Sequence, residues 1–182
     1  MKIEQFCKRH NACREGVDWA TSRGAETMDE LWQLDWPDNA WLTWTVTRPG
    51  VAGDKTLRLL AVFAARQVEH LMTDQRIRDV VGVAERYAHG DATREELAAA
   101  HAAAMDAAAR ADARADARAA ARAAAWSADA RAAVRTAARA AARAADARAA
   151  DERYATWKSV NEWIKGNVHP NFCADQTGEQ TA

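Results

Sequence analysis

Between Asp91 and Lys165 the chain contains neither proline nor glycine, and nearly half of that stretch is alanine. Few folds are open to such a sequence. Alanine has the highest helix propensity, arginine follows closely, and nothing in the segment interrupts a helical ladder. Residues 98–155 hold 34 alanines in 58 positions, with ten arginines and almost no bulky apolar side chain. Just ahead of them, Thr93-Arg94-Glu95-Glu96 reads as a capping box, in which the Thr hydroxyl and the second Glu satisfy each other's exposed backbone donors. Continuous helix is predicted over at least 94–145, within a chain that is all-α: a helical bundle with a long Ala/Arg-rich helix or helical hairpin.

The arginines are placed regularly. Arg110, Arg114, Arg118 and Arg122 are followed by Arg131, Arg135, Arg139 and Arg143, the second set repeating the first after 21 residues. At about 100° per residue, Leu97, His101, Met105, Trp126 and Val134 fall within an arc of roughly 100°, with these arginines on the opposite half of the wheel. A single helix over 94–165 would be ~108 Å long. A bend at Trp126-Ser127-Ala128-Asp129, where Ser127 can cap a new helix, is the other reading, and both stay open. Asp106–Arg110 is a favourable i, i+4 pair, but few other arginines have such a partner. The row either solubilises an alanine helix or offers guanidinium groups to an acidic protein surface, a nucleotide phosphate or RNA. With so few bulky anchors, the helix needs close approach to a second alanine face, and a homodimer is expected to supply it.

Outside this segment the composition is that of an ordinary small globular chain. Over the whole chain alanine accounts for 47 residues, and the 42 larger apolar residues suffice for one modest core. A net charge of −1 excludes a protein that coats nucleic acid non-specifically. Three cysteines form no disulfide framework. The longest apolar run, Leu59 to Ala65, is far too short to span a bilayer, and no signal-peptide core is present. A soluble, cytoplasmic protein is expected (in the host cytoplasm if phage-encoded). Its three parts would be a Trp-rich helical domain at 1–97, the Ala/Arg-rich element packing on it at 98–165, and a flexible tail at 166–182.

Within the first part, Ile3, Phe6, Cys7, Ala12, Cys13 and Val17 recur at helical spacing, predicting a helix to about Arg23 that stops at Gly24. A short helix is predicted over Thr27–Leu34, then a turn at Trp36-Pro37-Asp38-Asn39. Trp41–Val46 has strand-forming residues but no partner strand, so helix or irregular structure is expected there. Asp54 is a candidate cap for a helix with Leu57, Leu60, Ala61, Ala64, Val68 and Leu71 on one face. After Thr73-Asp74, a second amphipathic helix carries Ile77, Val80, Val81, Ala84 and Tyr87 and stops at Gly90.

Cys7, His10 and Cys13, with His169 and Cys173, have residue types that suit zinc. Their spacing would spread ligands over about 200° of one helix, so no metal or other cofactor is expected, and Cys7 and Cys13 are read as small core residues. Glu85–His89 and Arg66–His70 are i, i+4 pairs that could bind metal or shuttle protons, but without a third convergent group each is read as a surface pair or a helix-end histidine. No nucleophile elbow, phosphate-binding glycine loop or paired-carboxylate pattern occurs, and no catalytic residue is assigned. The tryptophans at 19, 32, 36, 41 and 44 are the more informative cluster. Indoles can build a small core, yet one or two left exposed would anchor a partner; Trp36, Trp41 and Trp44 are the candidates.

The segment Leu57–Met72, followed by Val83-Ala84-Glu85-Arg86-Tyr87-Ala88-His89-Gly90 and Glu95–Ala100, resembles small alanine-rich proteins of phages, prophages and bacterial toxin loci. Their bacterial relatives are immunity proteins of the Imm-5-like type. Ala12–Ala20 and Trp41–Gly50 resemble the phage branch, and the likeness spans roughly 12–155. It implies a helical, non-enzymatic protein that neutralises a toxin or bacterial defence component by binding it, and carries over no active-site residue. The alternative is a sponge for an anionic (cyclic) nucleotide signal, or a weak RNA binder, acting through the arginine row and base-stacking tryptophans.

Overall fold

The computed structural model describes residues 1–37, 40–72, 74–110 and 150–172. The chain folds as an all-α bundle, and the described residues contain no strand beyond an isolated bridge between Lys2 and Thr27. The helices are α1 (Ile3–His10), α2 (Arg14–Ser22), α3 (Met28–Gln33), α4 (Ala40–Val46), α5 (Asp54–Arg66), α6 (Gln75–His89), α7 (Arg94–Arg110) and α8 (Ala150–Asn167), with a 3-10 turn at Glu69–Leu71. No helix among the described residues is long and apolar enough to cross a membrane.

Helix α5 organises the core because two of its faces are apolar. Leu57, Leu60, Ala61 and Ala64 follow i, i+3, i+4, i+7 spacing and pack with α1, α3, α4 and α8. Val62 and Ala65, displaced around the helix, pack instead with Ile77, Val80, Val81 and Ala84 of α6 and with Leu97 and Ala104 of α7. Helix α8 returns to the first cluster through Val160, Ile164 and Val168, one face at i, i+4, i+8. Its Trp163 ring stacks on Phe63 at 5.6 Å, and buried Asn161 donates its Nδ2 to the Pro37 carbonyl at 3.0 Å.

The helix ends follow local chemistry. Thr93 and Glu96 make the expected capping box, with Glu96 N donating to Thr93 Oγ1 at 3.1 Å and Thr93 N to Glu96 Oε2 at 2.6 Å. Asp74 caps α6, and Gly90 ends it in left-handed backbone at φ 89°. Trp41–Val46 is helical, as α4.

Several expectations require correction. The single helix to Arg23 is two, because Asn11 turns left-handed at φ 52° and the Ala12 N–H closes on the Cys7 carbonyl at 2.9 Å. Asparagine tolerates that conformation, so this break needs no glycine or proline. Gly53, not Asp54, caps α5, and α5 ends at Arg66 rather than continuing to Leu71. The Arg66 guanidinium pairs with Glu69 and with Glu85 across on α6, a tie between helices that the i, i+4 spacing did not indicate, while His89 is the last residue of α6. The chain also stays packed past 166. Val168 and Phe172 are each 2% exposed, and the Asn171 N–H bonds the Val51 carbonyl at 2.9 Å, so the tail cannot begin at 166.

Candidate binding site

The sequence between α1 and α4 builds one apolar pocket. Helix α1 presents Phe6 and Cys7 to it before the turn at Asn11. Cys13 then caps α2, its Sγ accepting the Gly16 N–H at 3.4 Å. Gly16, Trp19 and Ala20, at i, i+3, i+4, face the pocket from α2, and Trp41, Trp44 and Thr45 do the same from α4. Met28 and Leu31 of α3 and Trp36 beyond it complete the lining. The cavity measures about 260 Å³, close to the lower bound for small-ligand sites.

Each indole is held by a neighbour. Trp19 lies 4.9 Å from Trp36 at 53° and 5.7 Å from Trp41 at 45°. Trp36 Nε1 donates to the Leu31 carbonyl at 3.1 Å. Trp44 meets Phe6 edge-on at 6.1 Å. A methyl group on Gly16 would lie 3.3 Å from Cys13 Sγ, a tight contact, and 3.9 Å from the Trp41 ring, an ordinary one. All four indoles remain partly exposed, whereas Trp32 is buried against Phe172.

Two walls carry a cation. The Arg23 guanidinium lies 6.0 Å over the Trp19 ring, and that of Arg48 lies 4.6 Å over Trp44 while donating Nε–H to the Trp44 carbonyl at 3.0 Å. Arg48 and Arg9 act together on His10, whose ring sits 4.6 Å from Phe6. Burial first, then these two guanidinium charges, holds the His10 imidazolium below its usual range. Burial, with a contribution from Cys13, pushes the Cys7 thiol up.

Of the residues singled out in the sequence, Trp36, Trp41 and Trp44 come together here. Trp19, from the same tryptophan cluster, joins them though it was not among the anchor candidates; Cys13 was weighed only as a metal ligand or core residue, and Gly16, Arg23 and Arg48 were not selected. One signal for the cations was legible: Trp19-x-x-x-Arg23 and Trp44-x-x-x-Arg48 both place a guanidinium one helical turn beyond an indole. Cys13, expected in the core, is exposed because it sits at a helix cap rather than mid-helix. Among the described residues no three His, Cys, Asp or Glu side chains are placed to hold a metal ion, so Cys7, His10 and Cys13 do not converge. Arg110 ends α7. Arg114, Arg118, Arg122, Arg131, Arg135, Arg139 and Arg143 lie outside the described residues, as do Trp126, Ser127 and the choice between long helix and hairpin. Compared with known proteins, the chain matches no family model, no curated protein and no solved structure.

Proposed function

We propose that this chain is a non-enzymatic binding protein of the immunity or phage anti-defence type, whose tryptophan-walled pocket receives an apolar side chain of a toxin or defence component. One observation carries the reading: Trp19, Trp36, Trp41 and Trp44 frame a single apolar cavity and stay partly exposed. The aliphatic core beside them is already filled by Leu42, Leu57, Leu60 and Ile164, so the indoles supply more apolar surface than packing of the bundle consumes. Rigid, partly desolvated aromatic recesses concentrate binding energy at protein interfaces.

The test is affinity capture from a host carrying toxin and defence operons, followed by reconstitution with the purified partner. A stable complex that neutralises the partner and is lost in Trp41→Ala is expected. Turnover of a small molecule without any stable protein partner would overturn the reading.

The same proposal includes a homodimer built through residues 98–155. Light scattering of the wild type at twice the 19.9 kDa chain mass, and at the single-chain mass for Trp126→Asp, is the expected result. A compact wild-type monomer at high concentration refutes it.

A further inference from the structure

We propose that the pocket is selective for an aromatic side chain carried in an acidic segment of the partner protein. This rests on the anchor reading above and adds the chemistry of the anchor. Three features of the cavity carry it.

Size and shape come first. About 260 Å³ walled by four indoles and Phe6 admits one flat aromatic side chain, which the rings can meet in tilted or edge-on contacts like those they already make with each other.

The second feature is the chemistry of the walls. The lining is almost entirely carbon and sulfur, and the Thr45 hydroxyl is already donated to the Trp41 carbonyl at 3.0 Å. A nucleobase pushed into such a site would bury several polar edges without partners, at a large desolvation cost, whereas a phenyl group would bury none and an indole a single N–H. This separates an aromatic residue from a nucleotide as the occupant.

Charge is the third. Arg48 lies 4.6 Å over Trp44 and Arg23 6.0 Å over Trp19, so two of the rings that line the cavity carry a guanidinium beside them. Arg9, exposed on the same helix as Phe6, adds a further cation to this side of the molecule. The carboxylates on α2 are Glu15 and Asp18, and Asp18 is paired with Arg14 at 3.8 Å. A carboxylate flanking the bound aromatic residue would therefore meet a guanidinium beside the Trp44 wall or the Trp19 wall.

The experiment uses the full chain and capped tripeptides followed by calorimetry and by NMR of the tryptophan Nε1–H signals. Acetyl-Asp-Trp-Asp-amide should bind saturably and shift the wall indoles. Asn-Trp-Asn should bind roughly three- to tenfold more weakly, Lys-Trp-Lys more weakly still, and Asp-Ala-Asp not at all. Added salt should erase the difference between the first two. Arg48→Gln should bring Asp-Trp-Asp down to the Asn-Trp-Asn level without altering the latter. If loss of the Trp44 contact unfolds that variant, exposed Arg9→Gln and Arg23→Gln make the same comparison. Equal affinity for Asp-Trp-Asp and Asn-Trp-Asn overturns the acidic preference and leaves the aromatic anchor standing. Equal binding of Asp-Ala-Asp, or saturation of the wall indoles by a cyclic dinucleotide with no peptide binding, overturns the anchor reading itself.

Discussion

The Lys165 ammonium lies 4.9 Å above the Trp32 ring and donates to the carbonyl of the same residue, joining α8 to the end of α3. Burial is the larger influence on it and pulls its pKa below the ordinary 10.5, with Asp35 opposing. The unfolded chain therefore holds this proton more tightly than the folded one. Between the lowered pKa and 10.5 unfolding takes up a proton, so the Lys165 contribution to stability rises with pH across that window and is level below it. Urea unfolding at a series of alkaline pH values should show this slope in the wild type and its loss in Lys165→Met, which keeps the aliphatic stem over the indole. Identical slopes in both proteins would refute it.

Gly16→Ala should separate stability from binding. The new methyl group crowds Cys13 Sγ at 3.3 Å and reaches ordinary contact with Trp41 at 3.9 Å, taking up space on the pocket wall. Cys13 is exposed, and turning aside costs its weak 3.4 Å cap on the Gly16 N–H, while alanine favours the helix by about 0.5–1 kcal/mol over glycine. Stability within about 1 kcal/mol of wild type is expected, together with weaker binding of an aromatic peptide. Unchanged peptide affinity would show that Gly16 does not shape the pocket.

Thr27→Ala removes a capping box that orients α3, and with it Met28 and Leu31 of the pocket wall. Thr27 Oγ1 accepts the Glu30 N–H at 3.2 Å, and Glu30 Oε2 accepts the Thr27 and Glu26 N–H groups at 3.4 and 2.8 Å. Those backbone bonds hold the Glu30 carboxyl below its usual range. A loss of about 1 kcal/mol is expected by denaturant titration.

Phe172→Ala tests where the ordered chain ends. Phe172 meets Phe6 edge-on at 5.7 Å and Trp32 at 6.1 Å, and Phe6 lines the pocket. Truncation should cost about 3–5 kcal/mol and disturb the pocket indoles in fluorescence. A change under about 1 kcal/mol would return this residue to the tail.

Several helix ends were legible from their own residues. Asp74, Gly90 and the Thr93–Glu96 box act through neighbours four or fewer residues away, the first and last through side chains and the glycine through its left-handed backbone. The break at Asn11 was not legible, because apolar spacing runs unbroken through Cys7, Ala12 and Val17 while the chain turns beneath it. Phe172 looked like tail because its partners, Phe6 and Trp32, are remote in sequence.

For the candidate site, the sequence by itself determined the supply: a surplus of tryptophans, two of them followed one turn later by arginine, in an all-helical chain. Only the tertiary structure decided how they are used. Trp32 was drawn into the core by Phe172 and covered by Lys165, whereas Trp19, Trp36, Trp41 and Trp44 were left framing a cavity. Helix periodicity states which residues share a face, but whether that face is filled depends on what another helix brings against it. Here α8 fills the side facing Leu42 and Leu57, and no described helix fills the side facing Trp19 and Trp41.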